Sequence, residues 1–342
     1  MCKIVKSFKP ISVEITTMKT SFVDKKFGIT LILIFIIFVA AVGYFLLISQ
    51  KRKSWAFCAY QPLGTRQCNI TEIISDLMLI KGMGFDGVKI FYEDIVDSGI
   101  VEPLLNYTKM IGLKVIFATH ATYWGHKYST IDFPNETIIN NYKRELGAIC
   151  GNITAHQYDH VPFMAVLYPI PFNQKWEDIN EKLNSTDYKE ALIEIVDYIK
   201  SFGLKVSMDT EGNPNDFPVP YIPNADLYGI MPFSPQWNYM NTTYIELWAA
   251  YFKQTGKQVY MSEYGFRTWR SGDPCQWDFG MVSNETIKAK QVREFVEYCR
   301  KNFEFFTYVL LFDNNEGGWG LAEKDTRILR ESGIAMLEAL QN

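Results

Sequence analysis

The chain has 342 residues, 48% of them hydrophobic and 15% aromatic, with 34 basic against 38 acidic side chains and a formal net charge of −4. That apolar content excludes a chain that is mainly disordered and is enough for one large core or two modest ones. With the charges nearly balanced and no long basic stretch, a nucleic-acid groove, which needs clustered Lys and Arg, is excluded as well.

The first recognisable element is the run from Phe27 to Ser49, FGITLILIFIIFVAAVGYFLLIS, 23 residues without a charge. A helix of that length crosses a hydrocarbon layer of about 30 Å. Lys25 and Lys26 precede the run, and Lys51, Arg52 and Lys53 follow it, so flanking charge sets no orientation. No small-x-small cleavage site follows before Lys51, which favours an uncleaved anchor over a signal peptide. Orientation comes instead from seven N-x-S/T triplets, at Asn69, Asn106, Asn135, Asn152, Asn184, Asn241 and Asn284, all beyond the run. They imply a glycan-bearing domain outside the cell or in a lumen, hence a single-pass type II membrane protein. The expected division is a cytoplasmic tail over 1–26, a transmembrane helix over 27–49, a short linker over 50–54 and a folded domain over 55–342. At Asn135 and Asn284 the triplet also opens an amphipathic run, as a helix cap would. Five cysteines beyond the span suit an oxidising compartment, and Cys58 and Cys68 are placed to close a short loop. No Cys/His spacing indicates a metal, and no cofactor motif is present.

Beyond Lys53 apolar runs alternate with helical periods. The strand candidates are AFCAY near Ala56, GVKIFY from Gly87, KVIFATH from Lys114, FMAVLYPI from Phe163, KVSMD from Lys205, LYGIMPF from Leu227, QVYMSE from Gln258 and TYVLLFD from Thr307. Between them Ile73, Ile74, Leu77 and Met78 are expected to share one helix face, and Ala289, Val292, Val296 and Cys299 another. Gly84, Gly112, Gly203 and Gly256 each precede a strand closely, the mark of a left-handed helix cap before a short loop. Eight such units, with no Gly-rich phosphate turn after the first strand, predict an α/β fold of the (β/α)8 TIM barrel type. The stretch EGNPNDFPVPYIPNA after the fifth strand holds four prolines, so the fifth helix is expected to be short or absent.

In a barrel of this type the strand ends carry the chemistry. Glu263, in QVYMSEYGFRT, is a lone carboxylate at the end of the seventh apolar strand, followed by a Gly- and aromatic-containing turn. It is the first candidate for a catalytic residue.

Several segments together resemble the family 17 glycoside hydrolases, the β-1,3-glucanase and glucanosyltransferase group of the retaining barrel clan. They are AFCAYQP, CNITEIISDLMLIKGMGFDGVKIFYEDI, GLKVIFAT, SEYGFRT and LLFDNNEGGWGL, spread over roughly residues 55 to 325. The resemblance implies a retaining glycosidase or transglycosidase with Glu263 as nucleophile. It also implies a Glu following Asn at the end of the fourth strand as general acid/base. Here that strand reads FMAVLYPIPFNQKW, with Tyr168, Pro169, Ile170 and Pro171 where the pair belongs.

A retaining mechanism needs two carboxyls about 5 to 5.5 Å apart, one to attack and one to protonate the leaving oxygen. Glu211 in MDTEGN, beside Asp209, is the preferred substitute acid, with Glu93, Glu316 and Glu177 as further candidates. Tyr60, Glu93, His120, Trp124, Tyr168, Trp237, Tyr264, Asp313 and Trp319 are the expected sugar-binding residues, since aromatic faces suit the C–H faces of pyranose rings. The expected partners are a polysaccharide or glycan substrate and the membrane, through Phe27 to Ser49. A barrel that keeps the groove but has lost turnover, a tethered glycan-binding protein, is the alternative the missing fourth-strand acid leaves open.

Overall fold

In the computed structural model the described residues are 54–61, 69–91, 95, 99–119, 133–169, 176–211, 219–232, 242–266, 268, 284–309, 311–312 and 320–342, with Trp176 and Glu211 described by their backbone alone. Phe27 to Ser49 lies outside them. Among the described residues no helix is long and apolar enough to cross a membrane.

Eight parallel strands close into a barrel in chain order, β1 pairing with β8. They are β1 (Trp55–Tyr60), β2 (Gly87–Phe91), β3 (Lys114–Ala118), β4 (Met164–Leu167), β5 (Val206–Glu211), β6 (Leu227–Met231), β7 (Gln258–Tyr264) and β8 (Phe305–Tyr308). The helices among the described residues are α1 (Ile70–Gly82), α2 (Val101–Ile111), α3 (Glu136–Ala155), α4 (Trp176–Leu183), α5 (Thr186–Lys200), α6 (Thr242–Lys253), α7 (Glu285–Asn302) and α8 (Glu331–Gln341). Two helices, α4 and α5, connect β4 to β5, and no helix is found between β5 and β6 among the described residues. Each proline of that connection removes a backbone donor, and the residue before it is pushed out of the helical region, which disfavours a helix there.

Local chemistry explains where the helices begin and end. Asn69, Asn135 and Asn284 cap α1, α3 and α7, their side chains accepting from the backbone N–H groups of Glu72, Thr137 and Ile287. All three capping asparagines are exposed. Gly84, Gly112, Gly203 and Gly256 all have positive φ, as the spacing of glycines before strands predicts.

Three local expectations are corrected. In α1 the buried face is Ile73, Leu77 and Ile80, spaced i, i+4, i+7, whereas Met78 is half exposed. The run there is apolar on more than one side, and only packing chooses the face. The eighth strand starts at Phe305, two residues before the expected Thr307, because Trp55 to Cys58 of β1 pair with Phe305 to Tyr308. Cys58 is a free, fully buried thiol pointing into the strand–helix core, so it closes no loop with Cys68. Burial drives that thiol far above the ordinary cysteine range.

Alternation along the strands divides the core into two layers. Outward-facing residues such as Cys58, Val88, Phe117, Val166, Met208, Ile230, Met261 and Phe306 pack against the helices. Inward-facing Phe57, Phe91, Ile116, Phe163, Leu227 and Tyr260, with Phe305 against them, fill the barrel itself. The Phe163 ring stands edge-on to both Tyr260 and Phe305, at 5.1 and 5.4 Å between centroids. This aromatic plug is the floor on which the site is built.

Candidate active site

Directly on the plug lies a polar layer of inward-facing residues from three strands. Lys89 of β2 and Asp209 of β5, each 1% exposed, form an ion pair at 3.1 Å. The Lys89 ammonium also donates to Ser262 Oγ at 2.6 Å and to the Ser262 carbonyl at 3.3 Å. Asp209 accepts in addition from Ser207 Oγ at 2.7 Å, from the Tyr260 hydroxyl at 2.9 Å, and from Ser262 Oγ. A carboxylate offers about four acceptor sites, so Asp209 is saturated. Its oxygens are spent inside the layer.

Gly229 of β6 makes room for this layer. A Cβ built there would stand 2.1 Å from Asp209 Oδ1 and 2.8 Å from Ser262 Cβ. Gly229→Ala is therefore expected to destabilise the barrel by about 1–3 kcal/mol, the ordinary cost of overpacking. Urea unfolding of the two proteins side by side measures it.

Glu263 owes its position to an irregularity in β7. Met261 pairs with Phe306 and Tyr264 with Tyr308, so three steps along β7 match two along β8, and one extra residue is accommodated as a bulge. Met261 faces outward, and Tyr264 also faces outward, its ring stacked on Phe295 of α7 at 5.5 Å and 12°. Strict alternation would have turned Glu263 to the helices and Tyr264 to the barrel axis. With the bulge, Ser262 and Glu263 both fall between two outward residues. Ser262 joins the polar layer, and Glu263 feels the charges of Lys89 and Asp209. It keeps 8% of its surface open.

Burial pushes the Glu263 carboxyl above the usual glutamate range; Lys89 pulls it down and Asp209 pushes it up. A raised native value means that the unfolded chain holds fewer protons between the ordinary and the raised value. Stability contributed by protonated Glu263 is thus complete below the ordinary glutamate value and lost as pH climbs through the raised one. Glu263→Gln is expected to melt higher than the unsubstituted protein at neutral pH, with the difference vanishing at about pH 4. Paired thermal melts across that range provide the check.

The other residues expected at the site fall into two groups. Tyr60, Tyr168 and Tyr264 are described, and none of them faces the barrel axis. The Tyr60 hydroxyl donates to Asp76 of α1 at 2.8 Å, the Tyr168 hydroxyl to the Pro220 carbonyl at 2.7 Å, and Tyr264 stacks on Phe295. All three rings are buried in the strand–helix layer, which corrects the expectation that they stack on a sugar. Their strand positions have outward parity, a property that aromatic character alone does not reveal. Glu177 is exposed in the first turn of α4. Glu211 is the last residue of β5, paired in register with Met231. Glu93, His120, Trp124, Trp237, Asp313, Glu316 and Trp319 lie outside the described residues.

Sequence reasoning passed over Lys89, Ser262 and Tyr260. The available signal was a charged residue in an otherwise apolar strand: Lys89 in GVKIF and Asp209 in VSMDTE occupy inward positions and have opposite sign. Two such residues on different strands of one barrel can neutralise each other inside it.

No family model matches the chain, and no curated protein matches it. Solved structures do share its fold. A β-glucuronidase from an uncultured Clostridium superposes with a TM-score of 0.59 at 13% identity, over 84% of this chain and 50% of that one. A family 113 β-1,4-mannanase gives 0.57 at 13% identity, over 84% and 98%. A family 5 endoglucanase from Clostridium longisporum gives 0.56 at 14% identity, over 86% and 97%. The chain spans about half the length of the β-glucuronidases it matches and nearly all of the mannanase and the endoglucanase. The fold is accordingly the (β/α)8 barrel found in glycoside hydrolases. The resemblance belongs to that wider group, families 5, 39 and 113 among it, and is not specific to family 17.

Proposed function

We propose that this chain is a glycoside hydrolase or transglycosylase, anchored in a membrane through Phe27 to Ser49, which acts on a β-linked glucan or related glycan. Glu263 is its nucleophile. The observation that carries this reading is the bulge in β7, which sets a carboxylate inward at the end of a barrel strand, above a sealed layer of opposite charges. In the retaining course the Glu263 carboxylate attacks the anomeric carbon as the glycosidic C–O bond breaks, and the leaving oxygen takes a proton from an acid. Water or a sugar hydroxyl then displaces Glu263 from the glycosyl ester, which separates hydrolysis from transfer. Asp209 has its oxygens engaged within the layer and is not the acid proposed. Glu211, two residues further along β5, is the proposed donor. An outward-facing, N-glycosylated domain agrees with the seven triplets beyond the span.

The test is incubation with an activated 2-fluoro-glycoside followed by peptide mapping. An adduct on the peptide carrying Glu263 supports the reading, and an adduct on any other residue overturns the assignment. A second reading, a tethered glycan-binding barrel without turnover, is favoured by β4. Its end holds no carboxylate through Pro169, and Tyr168 is turned to the Pro220 carbonyl. Binding of an oligosaccharide with neither adduct nor cleavage would select it.

A further inference from the structure

We propose that Lys89 is the positioning residue for Glu263: held by Asp209 against the bulged segment of β7, its ammonium group fixes the peptide that aims the Glu263 carboxylate inward. This inference rests on the role proposed for Glu263. Its support is geometric. The Ser262 carbonyl that Lys89 binds at 3.3 Å belongs to the peptide linking Ser262 to Glu263, and Ser262 Oγ, bound at 2.6 Å, lies on the same bulge. A bulge introduces an extra residue that ladder pairing alone does not hold, and a donor from across the barrel holds it. Asp209 holds the same ammonium, itself accepting from Ser262 Oγ, and Ser207 and Tyr260 fix Asp209.

The charge of Lys89 acts on Glu263 as well. The charged groups that act on Glu263 among the described residues are Lys89 on β2 and Asp209 on β5; the Tyr260 hydroxyl of β7 is bonded to Asp209, and Glu211, described by its backbone alone, closes β5. The inward positions on the remaining strands, Ala59, Ala118, Leu167, Gly229 and Thr307, carry no titratable group. Lys89 is thus the one cation among the described residues at this level. It opposes both the burial and the neighbouring aspartate, which favour the protonated form of Glu263. A nucleophile must be ionised to attack, so the lysine extends the working range of the carboxylate toward lower pH.

The experiment uses the full chain labelled with 13Cδ-glutamate, the Glu263 signal being assigned by its loss in Glu263→Gln. Lys89→Met is expected to raise the titration midpoint of Glu263 by about one pH unit or more, and Lys89→Arg to restore it. In a glycosidase assay the acid limb of the pH profile should move by the same amount, with kcat falling at least about tenfold and KM staying within about threefold, the pattern of a lost contribution to the chemical step. If Lys89→Met does not fold, the neutral double variant Lys89→Met/Asp209→Asn takes its place. Its midpoint should still rise, because no cation is left beside the buried carboxyl. An unshifted Glu263 midpoint in a folded variant overturns the proposal. If the unsubstituted protein cleaves no glycoside, the functional reading fails, while the titration still judges the role of Lys89.

Discussion

Glu263→Gln is expected to abolish glycoside cleavage and transfer, with kcat falling on the order of 10⁴-fold or more, the scale at which loss of a nucleophile acts in other covalent mechanisms. The substitution keeps the shape and removes the charge. The amide cannot form the glycosyl ester, and Asp209, the carboxylate of the layer beneath, is held by Lys89 and three hydroxyls and cannot replace it. The variant should still fold, and should melt higher at neutral pH, because burying a neutral amide costs less than burying a carboxylate. Loss of turnover together with raised stability is the combined signature of a charge kept for chemistry. Activity on a cleaved substrate that survives in Glu263→Gln would remove Glu263 from the mechanism. An activity lost together with the fold would say nothing for the chemistry, so the melt and the assay belong to one experiment.

The second large effect concerns the pair beneath the carboxylate. Asp209→Ala leaves the Lys89 ammonium buried in a layer whose other members are hydroxyls and a carbonyl, and is expected to cost about 3–5 kcal/mol. Charge and packing are both lost, since Ser207, Tyr260 and Ser262 all donate to this aspartate. The double replacement Lys89→Met/Asp209→Leu removes both charges and refills the space, and should recover most of the loss. Denaturant unfolding of the two singles and the double forms a cycle whose coupling energy isolates the pair. If the double variant is no more stable than Asp209→Ala, the ion pair is not what the layer depends on. The cycle also separates stability from positioning: the double variant is stable but lacks the cation, so its carboxylate at 263 should be harder to ionise.

The architecture was legible because its signals are local and repeated. Eight apolar runs of strand length, helical periods between them and glycines at the helix ends each follow from backbone stereochemistry within a few residues. Together they leave few arrangements other than a closed parallel barrel. The proline content after β5 likewise set an expectation of a short or absent helix, and among the described residues none lies between β5 and β6. The position of Glu263 at the end of the seventh strand could also be read, as a lone carboxylate closing an apolar run.

The direction in which side chains point was not legible in the same way. Tyr60, Tyr168 and Tyr264 sit at strand ends beside positions that face inward, and a shift of one residue exchanges the two faces. Choosing between faces requires the register of the neighbouring strand, which is a property of the pairing and not of the segment. For Tyr264 and Glu263 the choice is made by one extra residue in β7 relative to β8.

Taken alone, the chain's sequence determined the kind of fold, the number of strands, the helix caps and the place of Glu263 at the end of the seventh strand. Tertiary structure alone decided that Glu263 faces inward, that three expected sugar-stacking tyrosines are core, and that Lys89 and Asp209, 120 positions apart, meet inside the barrel. Strand and helix signals arise from neighbouring residues, whereas facing and pairing arise from closure, when β8 meets β1 and each strand's register becomes a consequence of all the others.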